Sequence, residues 1–299
     1  MQIDPKAAIG KATALLSEAK VSSPQVDAEL LLAHVLGVDR SQLNSITQIS
    51  NEQHFDYENL VARRANRVPL QHLTGVAYFR HLELAVGPGV FVPRPETELL
   101  VEAAIKHLKT LDSPRVAVDL CAGSGAIALS LALEVPGTTV HAVELSEDAI
   151  KWLTHNVVDH AVQLEEVESH VIIHHGDATD HQLLSELSNQ VDALVSNPPY
   201  IPSEMIPRDP EARDHDPAIA LFGGLDGLDV AREVVLIAAG LLKPGGFIGM
   251  EHADVQGESM PALFDSMANT WTEVTDNLDY NKLPRFTTAV RSTGTGVGR

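Results

Sequence analysis

The chain has 299 residues, with 21 Lys and Arg against 41 Asp and Glu, for a formal net charge of −20. That length supports a sizeable core and two domains, and so acidic a balance argues against tight general binding to nucleic-acid backbones, which demands clustered Lys and Arg. No apolar run is long enough to span a membrane and the amino terminus lacks a basic-then-apolar signal pattern, so the expected location is the cytoplasm. The lone cysteine, Cys121, excludes an internal disulfide framework and any multi-cysteine metal site. The 14 histidines are scattered, and His174 and His175 are adjacent in a predicted strand, hence on opposite faces, so no metal is expected.

Residues 1–72 read as a small helical bundle. Ala8, Ala12, Leu15, Leu16 and Ala19 recur at helical spacing, and Val26, Leu30, Leu31, Val35 and Leu36 repeat the pattern. Ser22-Ser23-Pro24 is the expected cap of the second helix and Gly37 its stop. Asn51 to Asn66 predicts a further helix with Phe55, Leu60 and Val61 apolar, and with Arg63, Arg64 and Arg67 at the end where the dipole favours cations. No catalytic constellation stands out here, and the bundle reads as structural or partner-binding. Residues 73–92 change period. Tyr78, Phe79, Leu82, Leu84 and Val86 are strand-like, Gly87-Pro88-Gly89 turns, and Val90-Phe91-Val92 returns, which predicts a β-hairpin linker between domains. Pro93-Arg94-Pro95-Glu96-Thr97-Glu98 then starts a helix over 99–108. Arg94 is either a surface ion-pair residue or a ligand-facing cation.

From 93 to 299 the pattern is strand, turn, helix. Val116 to Leu120 is a buried strand that runs into Cys121-Ala122-Gly123-Ser124-Gly125 and a helix, a nucleotide-type element in which the backbone approaches a ligand at a helix amino terminus. It is neither G-x-G-x-x-G nor a Walker loop. Asp119 can accept from an amino-bearing ligand or serve in a helix-capping network. The next strand ends at Glu144, about twenty residues past the turn, where a carboxylate suits a ribose diol. A third strand leads to Gly176-Asp177-Ala178, with Asp177 either accepting from an adenine amino group or capping a helix over 179–187. The fourth, Val191 to Ser196, stops at Asn197-Pro198-Pro199-Tyr200. The prolines make a stiff protrusion. Asn197 and a proline carbonyl can each accept an N–H, and Tyr200 can lie against a planar amide. The plain alternative is a proline-rich loop with Tyr200 packed as core. Acceptors at the carboxyl ends of adjacent parallel strands describe an adenosine site with an extra amine group. Ile201 to Leu221 reads as a long functional cover. Leu225 to Leu242 is helical, Lys243-Pro244-Gly245-Gly246 turns into strand Phe247 to Glu251, 255–267 is helical, and Trp271 to Thr275 and Phe286 to Arg291 are the last strands. The tail Ser292 to Arg299 is expected to be disordered. The expected fold is α/β, a Rossmann-like, mostly parallel sheet of seven strands behind a small helical bundle.

At these residues the sequence resembles class I S-adenosylmethionine-dependent methyltransferases. Asp119 to Gly125 looks like their cofactor loop, Glu144 like the ribose acid, and Asn197-Pro198-Pro199-Tyr200 like the amino-methyltransferase motif. Over nearly its whole length the chain is similar to the release-factor glutamine methyltransferase family (PrmC/HemK), through Pro93 to Glu98, Asn197 to Tyr200, Asp216-Pro217-Ala218-Ile219-Ala220-Leu221-Phe222-Gly223-Gly224 with Asp226-Gly227-Leu228, and Pro284-Arg285. The resemblance implies an antiparallel last strand and S-adenosylmethionine held by Asp119, Cys121, Ala122, Gly123, Ser124, Gly125, Glu144, Asp177, Ala178 and Asn197. It further implies methylation of the glutamine amide in the Gly-Gly-Gln loop of peptide chain release factors, bound by Asn197, Pro198, Pro199, Tyr200 and Arg94. Asn197, Pro198 and Tyr200 are the expected catalytic residues. The expected partner is that protein substrate, with no membrane and no direct nucleic acid, and the chain is expected to act as a monomer. The competing reading is a DNA or RNA adenine amino-methyltransferase using the same tetrapeptide. Two departures from the family pattern stand out: Cys121-Ala122 replaces Gly-Thr or Cys-Thr, and Glu144 replaces Asp.

Overall fold

Helix α1 (Pro5–Glu18) starts where the Asp4 carboxylate accepts from the Lys6 N–H at 2.9 Å and Pro5 occupies the first turn, where its missing N–H has no partner to lose. Helix α2 (Pro24–Leu36) ends at Gly37; its N-cap Ser23 makes no side-chain capping bond, so proline alone marks that start. Helix α3 (Asn51–Ala65) carries a full capping box, Ser50 with Gln53. The short α4 (Leu70–Thr74) follows. The computed structural model describes residues 3–267 and 269–294 and divides into two compact units. The first contains the chain up to Val76, Val86–Pro88 and Ile206–Asp216.

In that first unit Leu16, Leu31, Leu32, Tyr57 and Val61 form the core, and the buried Tyr57 hydroxyl donates to the Ala28 carbonyl at 3.0 Å. Phe55, expected on the apolar face, is 64% exposed, and Tyr57 takes the inner position instead. Arg64, expected at the helix end where the dipole favours cations, is buried. Its guanidinium meets Asp27 at 2.7 Å and Glu211 at 2.8 Å, and Arg67 reaches Glu211 at 2.5 Å. Burial pushes the Glu211 carboxyl up, but hydrogen bonds with the Asp209, Arg67 and Arg64 side chains outweigh it and hold it at about 2. These ion pairs explain why 206–216, expected within the 93–299 region, belongs with the helices: a buried carboxylate needs its cations.

The second unit begins at Ala77, within the hairpin of β1 (Val76–Phe79) and β2 (Leu82–Ala85). Its turn falls at Arg80-His81, not at Gly87-Pro88-Gly89. Arg80 adopts φ +52° and sinks its guanidinium between Glu102 at 2.8 Å and Glu134 at 2.5 Å. Val90 and Val92 are buried without joining a ladder, which is why their apolar run reads as a strand. Helix α5 (Thr97–Leu108) leads to the central β3 (Arg115–Leu120), α6 (Ala126–Glu134), β4 (Thr138–Glu144), α7 (Glu147–Asp159), α8 (Ala161–Glu166), β5 (His170–His175) and β6 (Val191–Ser196). The expected helix over 179–187 shrinks to a 3-10 turn at Ser185–Leu187. Asp177 and Asp180 accept from the Thr179 and Gln182 N–H groups and offer the backbone a series of turns instead.

After β6 the chain passes through α9 (Pro210–His215), the segment held by Arg64, and returns as α10 (Asp229–Leu241). Strand β7 (Leu242–Glu251) starts earlier than expected. Lys243 to Gly246 is a bulge within it, since Val191 pairs with Leu242 and Ala193 with Phe247. Then come α11 (Ser259–Asp265), β8 (Trp271–Leu278) and β9 (Pro284–Arg291). Sheet order is β5-β4-β3-β6-β7-β9-β8, parallel from β5 through β7, with β9 antiparallel to both neighbours. Alternation along β3 feeds two cores: Ala117 packs with α5 and α6, while Val118 packs with α10 and α11. The last five residues of the glycine-bearing tail, 295–299, lie outside the described residues. No helix among the described residues is long and apolar enough to cross a membrane.

Candidate active site

Parallel register sets four strand ends side by side. Leu120 lies opposite Val143 and Ser196, and Ser196 lies opposite Met250. The residue after each, Cys121, Glu144, Asn197 and Glu251, stands in one row. The Ser196 hydroxyl locks two of the strands by donating to the Leu120 carbonyl at 2.8 Å. A cavity of about 380 Å³ opens at this edge. Among its lining residues are Cys121, Ala122, Gly123, Ser124, Glu144, Asp177, Ala178, Asn197, Pro199 and Tyr200, with Pro217 and Ile219 to Phe222 also bordering it. That is the size and place expected of a ligand site in an open parallel sheet.

The loop after β3 is held by its backbone. Ala122 donates to the Val143 carbonyl at 2.9 Å and Gly125 to the Ala122 carbonyl at 2.8 Å. Glu144 grips it from the next strand: one carboxylate oxygen accepts from the Gly123 N–H at 2.8 Å, the other from the Ser146 N–H at 2.7 Å. Each oxygen keeps a second lone pair. Gly125 has φ +87°, and a Cβ there would stand 2.6 Å from Leu153, so glycine is required at that turn. At Gly123 a Cβ would meet nothing within 4 Å: the loop backbone borders open space. Cys121 takes φ +65°, and burial, then Glu144 and Asp119, push its thiol up, so it stays protonated. Asp177 spends one oxygen on the Thr179 N–H and hydroxyl, at 2.8 and 2.7 Å, and is exposed at the cavity wall.

Four residues expected at the ligand, Asp119, Gly125, Arg94 and Pro198, are not among those that line the cavity. Asp119 sits one position inside the row, paired with Ala142 and Val195 and wholly buried. It accepts from the Ala128 N–H at 3.0 Å, the helix-capping role, and its other oxygen has no hydrogen-bond partner. Burial pushes its carboxyl well up. Arg94 lies over the Phe91 ring, 5.2 Å from its centroid, and it is Phe91 that lines the cavity. Pro198 is buried behind Asn197 and Pro199.

The turn Asn197 to Tyr200 is clamped from two sides. Ile201 and Phe222 form a bridge, and Ile201 donates to the Leu221 carbonyl at 2.8 Å. The buried Gln256 donates to the Tyr200 carbonyl at 3.0 Å and to the Asp226 carbonyl at 3.1 Å. A Cβ on Gly223 would lie 2.3 Å from the Pro199 carbonyl oxygen, and neither backbone can yield. Gly223→Ala is therefore expected to destabilise the fold by about 1–3 kcal/mol through overpacking. Gly10→Ala, a helix position with nothing within 4 Å, is expected to stabilise by about 0.5–1 kcal/mol. Urea midpoints of the two variants check this, and equal midpoints would refute the clash.

Residues 7–75 match the PrmC N-terminal domain family and residues 82–206 the methyltransferase small domain family. The sequence is 49% identical over 286 residues to the release factor glutamine methyltransferase of Streptomyces coelicolor, covering 95% of this chain and 96% of that one. It is 46% identical to the Mycolicibacterium smegmatis release factor glutamine methyltransferase, covering 96% and 97%. The chain belongs to the release factor glutamine methyltransferase family. A T. thermophilus 16S rRNA methyltransferase, solved with AdoMet and guanosine, shares the fold at a TM-score of 0.50 and 22% identity, over 72% of this chain and 49% of that one.

Within this family member, the glycines read in the sequence as a family signature have a local cause. Gly223 and Gly227 abut the Pro199 and Tyr200 carbonyls. Two residues behind Asn197 escaped sequence reasoning altogether. Thr97 donates to the Glu251 carboxylate at 2.6 Å, and Asn197 donates to Thr97 at 3.4 Å. Thr97 lies within the Pro93 to Glu98 motif, and Glu251 closes a predicted strand as Glu144 does. The same strand-end logic applied to β7 points to Glu251.

Proposed function

We propose that this protein transfers a methyl group from S-adenosylmethionine to the side-chain amide nitrogen of the glutamine in the Gly-Gly-Gln motif of peptide chain release factors. The observation that carries the reading is the shared cavity. Asn197, Pro199 and Tyr200 face the same space as Glu144 and the loop residues Cys121 to Ser124.

The residues present fit the cofactor. Each Glu144 oxygen has one backbone N–H and a lone pair left for one hydroxyl of a vicinal diol. Gly123 leaves room for close backbone approach. Asp177 offers its second oxygen to an adenine amino group, and Ala178 lines the wall beside it. S-adenosylmethionine held there would supply a sulfonium methyl: as the nitrogen–carbon bond forms the carbon–sulfur bond breaks, so S-adenosylhomocysteine is the leaving group and one N–H proton of the methylated nitrogen goes to solvent. On the substrate side, the Asn197 side-chain oxygen accepts one N–H of the glutamine amide. An amide nitrogen is a poor nucleophile because its lone pair is delocalised. An acceptor already in place favours the positive charge that develops on it, with no reorganisation during reaction. Tyr200 supports the amide plane, and fixed orientation contributes roughly seven kcal/mol or more in good cases. The helical unit is assigned the grip on the release factor. The enzyme is placed in the cytoplasm with that substrate and works as a monomer.

The test is methyl transfer from labelled S-adenosylmethionine to purified release factor, to its loop Gln→Ala variant and to duplex DNA. Label on the release factor and none on the variant is the expected result. Label on DNA would overturn the reading in favour of an amino-methyltransferase acting on bases.

A further inference from the structure

An asparagine amide presents oxygen on one side and NH2 on the other, and only the oxygen can accept a substrate N–H. Something behind Asn197 must decide which end faces the cavity. Asn197 Nδ2 donates to Thr97 Oγ1 at 3.4 Å. The Thr97 hydroxyl has a single proton, and it goes to Glu251 Oε2 at 2.6 Å. The other oxygen, Oε1, accepts from the Tyr200 hydroxyl at 3.3 Å. Thr97 and Glu251 are buried, at 4% and 1% exposure, so water does not compete for these bonds. With its one proton committed to the bond with Glu251, Thr97 can only accept. It therefore takes the NH2 end of Asn197 and turns the oxygen away from itself. Register explains the meeting: Met250 pairs with Ser196, so Glu251 stands beside Asn197 in the row of strand ends.

We propose that Glu251 is a positioning residue which, through Thr97, orients the Asn197 amide with its oxygen toward the substrate and, through the Tyr200 phenol, holds the adjoining ring. The inference rests on the reading that Asn197 accepts from the amide being methylated.

A carboxylate does this only when ionised. Protonated Glu251 can donate to Thr97, which releases the Thr97 proton to the Asn197 oxygen and permits the flipped amide. Burial raises the Glu251 carboxyl to about 7, against the hydrogen bonds from Thr97 and Tyr200 and the attraction of Arg285. The groups facing it are Glu96 and Thr97 at the start of α5, Tyr200 after β6 and Arg285 on β9. Below pH 7 the acid is neutral and orientation is lost; above pH 7 it is charged and orientation is enforced. The rate constant kcat should therefore rise with pH through about 7 and level off above it.

The experiment measures kcat against pH, and Kd for S-adenosylmethionine, in the full-length wild type and in Thr97→Ser, Thr97→Val and Glu251→Gln. Thr97→Ser keeps the hydroxyl and should retain kcat. Thr97→Val should lose about 10²-fold in kcat, the scale of a misplaced reacting group, with Kd unchanged. Glu251→Gln should lose rate and the rise near pH 7 together. If Glu251→Gln does not fold, the contrast between Thr97→Val and Thr97→Ser decides alone. Wild-type kcat in Thr97→Val, or an intact rise in Glu251→Gln, would overturn the relay while leaving the methyl-transfer reading in place. No transfer by the wild type would overturn that reading and the relay with it.

Discussion

Asn197→Ala is expected to lower kcat for methyl transfer by about 10²–10³-fold, or about 2.7–4 kcal/mol, the range found when one preorganised polar group is removed from a reaction centre. Two losses combine. The substrate amide loses an acceptor for one N–H, so charge developing on nitrogen is no longer met by a fixed dipole. The buried Thr97 oxygen also loses the group that donates to it. Neither touches the Glu144 end of the cavity, where Gly123 and Ser146 hold the carboxylate. Kd for S-adenosylmethionine should accordingly change far less than kcat. Single-turnover transfer to release factor, with calorimetric titration of the cofactor, separates the two. Wild-type turnover in the variant would remove Asn197 from the chemistry.

Glu144→Ala is expected to act the other way, raising Kd for S-adenosylmethionine by about 10²-fold or more, because hydrogen bonds to a charged acceptor are each worth about 1.5–3 kcal/mol and two ribose hydroxyls are at stake. The variant also strips the Gly123 and Ser146 N–H groups of their acceptor, so the loop loses part of its shape as well. The departure from Asp to Glu is accommodated here. The longer side chain spans both backbone donors at 2.8 and 2.7 Å while its outer lone pairs stay available. Glu144→Gln, which turns one acceptor into a donor facing a backbone N–H, should fall between wild type and Glu144→Ala. Calorimetric titration is the check; an unchanged Kd in Glu144→Ala would remove the ribose site from this strand end.

The sequence by itself determined the elements whose cause is local. A buried apolar run followed by Cys121 to Gly125 and an alanine-rich helix can only be strand, turn and helix, since periodicity and glycine placement act within a few residues. Asn197-Pro198-Pro199-Tyr200 announces itself because proline cannot stay in a ladder. Glu144 was legible as an acid at a strand's end. The alternation of strands and helices was enough for a mostly parallel sheet.

Tertiary structure decided whatever depends on partners far along the chain. The hairpin turns at Arg80 and not at Gly87 to Gly89 because Glu102 and Glu134 hold its guanidinium. Arg64 reads as a cation at a helix end, and it is buried because Glu211, far downstream, supplies its counter-charge. Asp119 reads in the sequence as a ligand acceptor or a helix cap, and a single-residue offset within β3 puts it in the capping position. Thr97 and Glu251 are 154 residues apart, and no spacing in the sequence relates them. Strand register relates them: it sets Met250 opposite Ser196 and so brings Glu251 beside Asn197. Local propensity acts over a few residues, whereas hydrogen-bond partners and counter-charges are chosen by packing, and packing exists only once the sheet has formed.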